Sequence, residues 1–151
     1  MKTGKIIATN KKAHFDYEIH DTFEAGVVLT GPEVKSVKSG NISLKESYAV
    51  VKGNEIFLLN AHISPYKFAA NEGEDPARSR KLLLKSSEIK SLIGKTSEKG
   101  LTLIPTKVYL KYGLVKIELG LGKGKKKFEK RAKIKERDIG RDIEREIRGK
   151  S

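Results

Sequence analysis

The stretch LTLIPTKVYLKYGLVKIEL, residues 101–119, decides the predicted fold. Two apolar, β-rich segments, Leu101–Leu110 and Leu114–Leu119, flank Gly113 and predict a hairpin. In the second segment apolar and charged residues alternate, in the order Val115, Lys116, Ile117, Glu118 and Leu119. This alternation predicts an antiparallel sheet with one face on a core and the other face in water.

Further strands are predicted upstream of this hairpin. Tyr48–Lys52 and Glu55–Asn60 are rich in β-forming residues and flank Gly53-Asn54, a strong turn signal. Ala25–Thr30 is another apolar run, and it ends at Gly31-Pro32. Strands joined by short turns, without a βαβ rhythm, favour an antiparallel barrel. We therefore predict a mainly β fold: a small antiparallel OB-like barrel with flanking helices and a basic C-terminal tail.

Two helices and one long loop complete the predicted body. Pro32 suits the first position of a helix and Gly40 suits its end. A second helix is predicted to have its N-cap at Ser86-Ser87 and its end at Gly94, with apolar residues at helical spacing between them. Tyr66–Ser79 is predicted to form a long surface loop, and such loops often carry function.

The charge of the chain is strongly positive and unevenly distributed. The 151 residues carry 32 Lys+Arg against 19 Asp+Glu, a net of +13, and residues 121–151 contribute 13 of the basic and 6 of the acidic residues. Such a field favours a polyanion, with nucleic acid ahead of an anionic membrane. We predict two parts: an OB-like RNA-binding barrel at 1–122 and a basic tail at 123–151.

The end of the tail has a helical pattern. Isoleucines and arginines fall on opposite sides of a helix, namely Ile139, Ile143 and Ile147 against Arg137, Arg141, Arg145 and Arg148. Gly140 weakens this helix by about 1 kcal/mol, and a short isolated helix is marginal in water. A membrane-surface helix, a helix docked on its own barrel and a helix in an RNA-lined channel compete as explanations. The channel accounts best for both stripes, and we expect the tail to be disordered when free and helical with its partner.

Catalytic signatures are absent from the sequence. Cysteine does not occur, and His14, His20 and His62 lack the spacing of metal ligands. The segment Gly120–Lys125 resembles a phosphate loop, but it lacks the four-residue spacer and the Ser/Thr after the lysine. We interpret it as a flexible cationic hinge where the barrel ends. We expect a non-enzymatic protein without metal or cofactor. Because no stretch approaches 18 apolar residues and no leader is visible, we also expect it to be soluble and cytoplasmic.

Several sequence blocks together resemble the SsrA-binding protein (small protein B) family. The blocks, in chain order, are Asn10–Ala13, Phe23–Gly26, Gly31–Ser36, Asp75-Pro76 with Arg78, Arg80–Leu84, Gly122–Lys126, Glu129–Arg131 and Ile134-Lys135. Their order and spacing make the resemblance specific, and it extends along nearly the whole chain. It implies an OB-like barrel with flanking helices, in agreement with the strand pattern.

The resemblance also implies a function and partners. The family binds the tRNA-like domain of transfer-messenger RNA and brings it, with elongation factor Tu and GTP, to stalled ribosomes. The barrel then stands in for an anticodon arm, and the tail lies near the decoding centre in the empty messenger channel. We expect a monomer that does not bind membranes. The alternative is a general RNA chaperone with an OB-like barrel, which usually has a more aromatic face than ten Phe and Tyr and no Trp provide.

Residue roles follow from the same resemblance. The expected RNA-binding residues are Asn10, Lys11, Lys12, Glu24, Lys35, Arg80, Lys81, Leu83, Lys123, Lys125 and Lys126. The expected ribosome-engaging residues of the tail are Glu129, Lys130, Arg131, Arg137, Ile139, Arg141, Ile143, Arg145 and Ile147. Structural alternatives exist for three of them: Asn10 as a turn cap, Glu24 as a loop support and Leu83 as a core residue. Two places depart from the family pattern. Many relatives have a basic residue and a histidine where this chain has His14-Phe15, and a tryptophan is frequent where this chain has Ile139.

Overall fold

The computed structural model describes residues 4–66 and 75–124. The strands are β1 (Ile6–Thr9), β2 (Tyr17–Val27), β3 (Ile42–Ser43), β4 (Tyr48–Lys52), β5 (Glu55–Leu59), β6 (His62–Ile63), β7 (Arg80–Leu83), β8 (Thr102–Lys111) and β9 (Leu114–Gly124). The helices are α1 (Lys11–Asp16), α2 (Gly31–Lys38) and α3 (Ser86–Glu98).

The main sheet closes into a ring. Strands pair in the order β8-β4-β5-β7-β2-β9, and β9 returns to pair with β8. All of these pairings are antiparallel, and β1 pairs with the edge of β8 that β4 leaves open. The short strands β3 and β6 form a separate pair. This arrangement confirms the predicted mainly β, OB-like barrel with helices.

The alternation predicted in the last hairpin places a core inside the ring. Ile117, Leu119 and Leu121 of β9 are at most 1% exposed, and they join a cluster with residues such as Leu82 of β7 and Leu103 of β8. Removal of these side chains from water is the main force that closes the barrel. The intervening charged residues therefore point outward, where they can meet a ligand.

Helix α2 forms where the sequence predicts it. Thr30 is its N-cap: the Thr30 hydroxyl accepts a hydrogen bond from the Glu33 N–H at 3.3 Å, and the Glu33 carboxylate accepts one from the Thr30 N–H at 2.9 Å. This reciprocal pair is a capping box. Gly40 follows the helix with a φ of +84°, a conformation that favours glycine.

Helix α3 differs from its prediction at both ends. Its N-cap is Lys85 rather than a serine, and it continues past Gly94 to Glu98. A glycine inside a helix costs only about 1 kcal/mol, so Gly94 alone does not end the helix. The glycine that follows the helix end is Gly100, with a φ of +64°.

The hinge predicted at Gly120–Lys125 is wrong for its described part. Strand β9 runs through Gly124 and pairs with β2 to its end. A Cβ on Gly122 would lie 2.3 Å from the Glu18 carbonyl oxygen. This glycine therefore permits the close approach of two strands rather than flexibility. The loop predicted at Tyr66–Ser79 is described only at its two ends.

Candidate RNA-binding surface

Asn10 caps helix α1 and fastens it to the barrel. Its Oδ1 accepts a hydrogen bond from the Ala13 N–H at 3.3 Å, while its Nδ2 donates to the carbonyl oxygens of Leu44 and Pro105 at 3.3 and 3.0 Å. The side chain is buried, so in this conformation the amide serves the fold. Asn10 thereby takes the structural alternative raised above, that of a cap.

The cap holds a cationic turn at the surface. Lys11 and Lys12 follow Asn10 at the start of α1 and are both exposed. Lys12 forms an exposed ion pair with Glu46 at 3.0 Å. Exposed ion pairs contribute little to stability, so a phosphate can replace Glu46 as the partner of Lys12. Phe15, on the same short helix, is 64% exposed. Helix α1 therefore presents positive charge and an aromatic ring together.

Glu24 lies on the outer face of β2 and is held by two side chains from β8. The Tyr109 hydroxyl donates to Glu24 Oε2 at 2.6 Å, and Lys111 Nζ lies 3.2 and 3.3 Å from the two carboxylate oxygens. Because strand β9 lies between β2 and β8, these contacts cross a whole strand. The carboxylate is therefore fixed in position before any ligand arrives.

The same contacts control ionisation. The hydrogen bond from Tyr109 is the main cause that lowers the pKa of Glu24. Burial opposes it as the second largest effect, and Lys111 and Lys116 lower the pKa further. Burial and the neighbouring Glu24 carboxylate raise the pKa of Tyr109 well above its ordinary value. At neutral pH Glu24 is therefore an ionised acceptor and Tyr109 a neutral donor.

Leu83 faces outward on the face of the sheet that carries this carboxylate. It is 50% exposed on β7, so the alternative of a core residue does not hold. In the sheet it pairs with Gly26 of β2, two residues after Glu24. Side chains two residues apart on a strand share a face. An apolar side chain and a carboxylate thus flank one small area of the barrel exterior.

Arg80 corrects one sequence prediction. It was expected to contact phosphate, but its side chain is 1% exposed. Its guanidinium donates to Glu33 Oε2 at 2.6 and 2.8 Å and to the carbonyl oxygens of Ala61, Pro76 and Arg78. Five donated hydrogen bonds leave this guanidinium little capacity for an RNA phosphate.

The remaining expected cations are spread around the barrel. Lys81 of β7 is exposed and pairs with Glu55 at 3.1 Å. Lys35 of α2 places its ammonium 5.5 Å from the centroid of the Tyr66 ring. Lys123 is exposed near the end of β9, opposite Glu18. Lys125, Lys126 and every tail residue named above, from Glu129 to Ile147, lie outside the described residues.

The structure brings some expected residues together and adds three others. Glu24 and Leu83 share one face with Lys81, whereas Lys35 lies on α2 and Lys123 at the far end of β9. The added residues are Tyr109, Lys111 and Lys116, which no sequence motif had singled out. The alternation in β9 predicted that Lys116 faces water, but the register of β2 against β9 was needed to place it beside Glu24.

Sites of other kinds are not visible in the described residues. Within 4–66 and 75–124 no group of three or more His, Asp or Glu could hold a metal ion. In the same ranges no helix is long and apolar enough to cross a membrane. A groove of about 340 Å³ between α3 and the edges of β4 and β8 is lined mainly by apolar residues, without a carboxylate or imidazole.

Comparison with known proteins gives the family. The model of the family described as SmpB protein matches residues 7–149. The chain belongs to the SmpB protein family. An SsrA-binding protein of Geobacillus kaustophilus (strain HTA426) is 54% identical over 145 residues, covering 96% of this chain and 94% of the relative. One of Persephonella marina (strain DSM 14350 / EX-H1) is 53% identical over 146 residues, covering 97% and 96%.

A solved structure agrees with both the family and the fold. It is described as "tmRNA-SmpB: a journey to the center of the bacterial ribosome" and is 44% identical in sequence. It superimposes with a TM-score of 0.65 over 78% of this chain and 83% of that chain. The resemblance found in the sequence blocks is therefore confirmed, and SmpB is a family of RNA-binding proteins rather than a known class of enzyme.

Proposed function

We propose that this chain is an RNA-binding adaptor for transfer-messenger RNA. It binds the tRNA-like domain of that RNA and delivers it to stalled ribosomes for trans-translation, so that the nascent chain is tagged for proteolysis. The observation that carries the proposal is the family match across residues 7–149, which spans both the barrel and the basic tail. The solved relative, described with tmRNA and the ribosome, supports the same partners.

The described surface has the chemistry that a folded RNA requires. The exposed Lys11, Lys12 and Lys81 can contact phosphates, which position the RNA without reading its sequence. Glu24 offers an ionised acceptor and Leu83 an exposed apolar contact. Unstacked bases of RNA loops are recognised by such combinations of apolar and hydrogen-bonding contacts. Asn10 supports this surface by fixing α1, and its expected contact with RNA stays a prediction.

The tail is proposed to engage the ribosome. Its residues lie outside the described ones, so the proposal rests on the Ile/Arg pattern and on the family match to residue 149. Glu129, Lys130 and Arg131 would begin a segment that lies near the decoding centre and becomes helical in the messenger channel. A peptide spanning Lys130–Ser151 should show little helix by circular dichroism in buffer. Strong helicity would contradict folding on the ribosome.

Further partners follow from this role. Delivery would use elongation factor Tu with GTP, and hydrolysis of that GTP would belong to the factor rather than to this chain. The chain would act as a monomer in the cytoplasm, where ribosomes are found, and without catalysis of its own. Sedimentation of the protein alone and with the RNA tests the proposed monomer.

A binding comparison tests specificity. Affinity is measured for the tRNA-like domain of transfer-messenger RNA, for a tRNA and for an unstructured single strand, at 50 and 200 mM salt. If about six phosphates are contacted, each affinity falls about 10³-fold between the two salts. The tRNA-like domain should keep the highest affinity at 200 mM. Equal affinities there would refute the adaptor and favour the alternative of a general RNA chaperone.

A truncation separates the barrel from the tail. Deletion of all residues after Lys127 should abolish tagging on stalled ribosomes and largely preserve binding to the tRNA-like domain. In a full-length control variant the arginines at 137, 141, 145 and 148 become lysine. This variant keeps the positive charge of the tail and so controls for the contribution of that charge to RNA binding. Loss of RNA binding by the truncated chain would contradict this division of roles.

A further inference from the structure

Asp16, the last residue of helix α1, carries a buried carboxylate oxygen without a partner. The residue is 8% exposed, and its Oδ1 has no hydrogen-bond partner among the described residues. Lys12, one helical turn earlier and correctly spaced for an ion pair with Asp16, contacts Glu46 instead. Burial of a carboxylate is costly unless a cation or other donor pairs with it. The unpartnered oxygen therefore points to a ligand that carries a positive charge or a strong donor.

The place of Asp16 on its helix favours a cation for the same reason. Backbone carbonyl groups in the last turn of a helix lack intrahelical partners and give that end a negative partial charge. An acidic side chain adds to this charge, whereas a cation neutralises it. An ammonium group beside Asp16 would therefore interact with both the carboxylate and the carbonyl end of α1.

Strand β9 brings the chain to this place. Its last residue, Gly124, pairs with Tyr17, which directly follows Asp16. One further step of the same antiparallel register puts Lys125 opposite Asp16. Because residues opposite each other in such a pair have Cα atoms about 4.5–5.5 Å apart, a lysine side chain at this position can reach the carboxylate. The next lysine, Lys126, belongs to the other face, since successive side chains of a strand alternate.

We propose that Asp16 pairs with the ammonium group of Lys125 and thereby fixes the direction in which the basic tail leaves the barrel. Asp16 is then a positioning residue, and Lys125 serves the fold while Lys126 stays available to RNA. The ion pair itself does not depend on the proposed function. Its use, to direct the tail toward the messenger channel, rests on that function.

A double-mutant cycle tests the ion pair in the full-length protein without RNA. Asp16→Asn removes the charge and keeps the shape of the side chain, and Lys125→Met removes the charge and keeps the aliphatic length. Urea unfolding of the double variant should show a smaller loss than the sum of the two single losses, by about tenfold in the unfolding equilibrium constant, as for residues in contact. The same cycle with Lys126→Met in place of Lys125→Met is the control and should be additive. Additivity of Asp16→Asn with Lys125→Met, or coupling to Lys126 instead, overturns the proposal.

The two lysine variants also test the pair by themselves if Asp16→Asn does not fold. Lys125→Met leaves the buried carboxylate without its partner, so it should raise the unfolding equilibrium constant about tenfold or more. Lys126→Met should leave this constant unchanged. Equal constants for the two variants would overturn the proposal.

Tagging on stalled ribosomes tests the positioning role. Asp16→Asn should bind the tRNA-like domain like the wild type but lose tagging rate, and it should cause no further loss in a Lys125→Met background. The control is Asp21→Asn, because Asp21 is more than half exposed on β2 and its contact with Lys95 is a surface pair. Asp21→Asn should tag like the wild type. A loss of RNA binding that equals the loss of tagging would instead indicate a merely structural role for Asp16 and overturn the positioning role.

The outcomes for the ion pair and for the proposed function are separable. If the wild type shows no preference for the tRNA-like domain at 200 mM salt but the Asp16–Lys125 cycle is coupled, the proposed function fails and the ion pair stands. If the wild type is selective and tags, but Asp16→Asn tags at the same rate, the positioning role alone is overturned.

Discussion

Arg80 Nη2 lies 2.6 Å from Glu33 Oε2, and both side chains are almost completely buried. The two residues come from β7 and α2, and Arg78 adds its own ion pair to Glu33 Oε1. Glu33 also completes the capping box of α2. One carboxylate therefore ties a helix N-terminus to the strand that carries Lys81 and Leu83.

Removal of this carboxylate should strongly destabilise the protein. Glu33→Gln leaves a buried guanidinium without its counter-charge, and broken buried ion pairs typically cost about 3–5 kcal/mol. Urea unfolding measures the change in the free energy of unfolding. Glu55→Gln is the matched control, because the Glu55–Lys81 pair is half-exposed on both sides and such pairs contribute at most about 1 kcal/mol. Equal losses in the free energy of unfolding would show that burial of the Glu33 ion pair does not increase the cost of breaking it.

Stability should also depend on pH through Glu33. Burial alone would raise the pKa of Glu33, but hydrogen bonds from Arg78, the Thr30 N–H and Arg80 outweigh it and hold the pKa below the ordinary 4.5. A carboxyl with a lowered folded pKa contributes stability above its unfolded pKa and loses it as the pH falls through the folded value. Unfolding free energies measured from pH 7 to pH 3 should therefore fall below about pH 4.5, and less steeply in Glu33→Gln. If the free energy of unfolding falls equally with pH in the wild type and in Glu33→Gln, Glu33 is not the origin of the pH dependence.

Two glycines should respond oppositely to alanine. A Cβ on Gly122 would lie 2.3 Å from a backbone oxygen of β2, so Gly122→Ala must separate two paired strands. Gly94 lies in α3 with nothing within 4 Å of a new Cβ, so Gly94→Ala should stabilise the helix by up to about 1 kcal/mol. Thermal melting compares the two variants. A stable Gly122→Ala protein would restore the hinge interpretation of Gly120–Lys125.

The elements that local signals specify were predictable. The hairpin about Gly53-Asn54 and the N-terminus of α2 were predicted from turn and capping chemistry, and both form. The end of α3 was not, because the local cost of Gly94 is too small to end a helix. The glycines at 120 and 122 were interpreted as flexible because the close approach of β2 is a long-range contact that one segment does not reveal.

The candidate site was predictable only in part. Glu24 and Leu83 were selected from the family resemblance, and the structure places them on one face. Tyr109 and Lys111 were missed because they reach Glu24 across β9, and only the register of three strands defines that contact. Arg80 was assigned to phosphate because an arginine in a basic motif resembles a surface residue; its buried partner Glu33 lies 47 positions away in sequence.

Tyr109→Phe should shift the pH dependence of RNA binding. The Tyr109 hydroxyl is the main cause of the lowered pKa of Glu24, so its removal lets that pKa rise toward the ordinary 4.5, while Lys111 still opposes the rise. The proposed hydrogen bond from RNA to Glu24 requires the ionised carboxylate, and the loss of affinity on the acid side should therefore begin at a higher pH in Tyr109→Phe than in the wild type. Affinity for the tRNA-like domain is measured between pH 4 and 7.

Tyr112→Phe is the control for this shift, because Tyr112 is 90% exposed in the β8–β9 turn and removal of its hydroxyl leaves Glu24 unchanged. Protonation of the RNA itself affects all three proteins equally, so only the difference between their curves is interpreted. Coincident curves for Tyr109→Phe and the wild type would mean that Glu24 does not accept a hydrogen bond from RNA. Its contacts with Tyr109 and Lys111 would then serve only to hold the three strands in register.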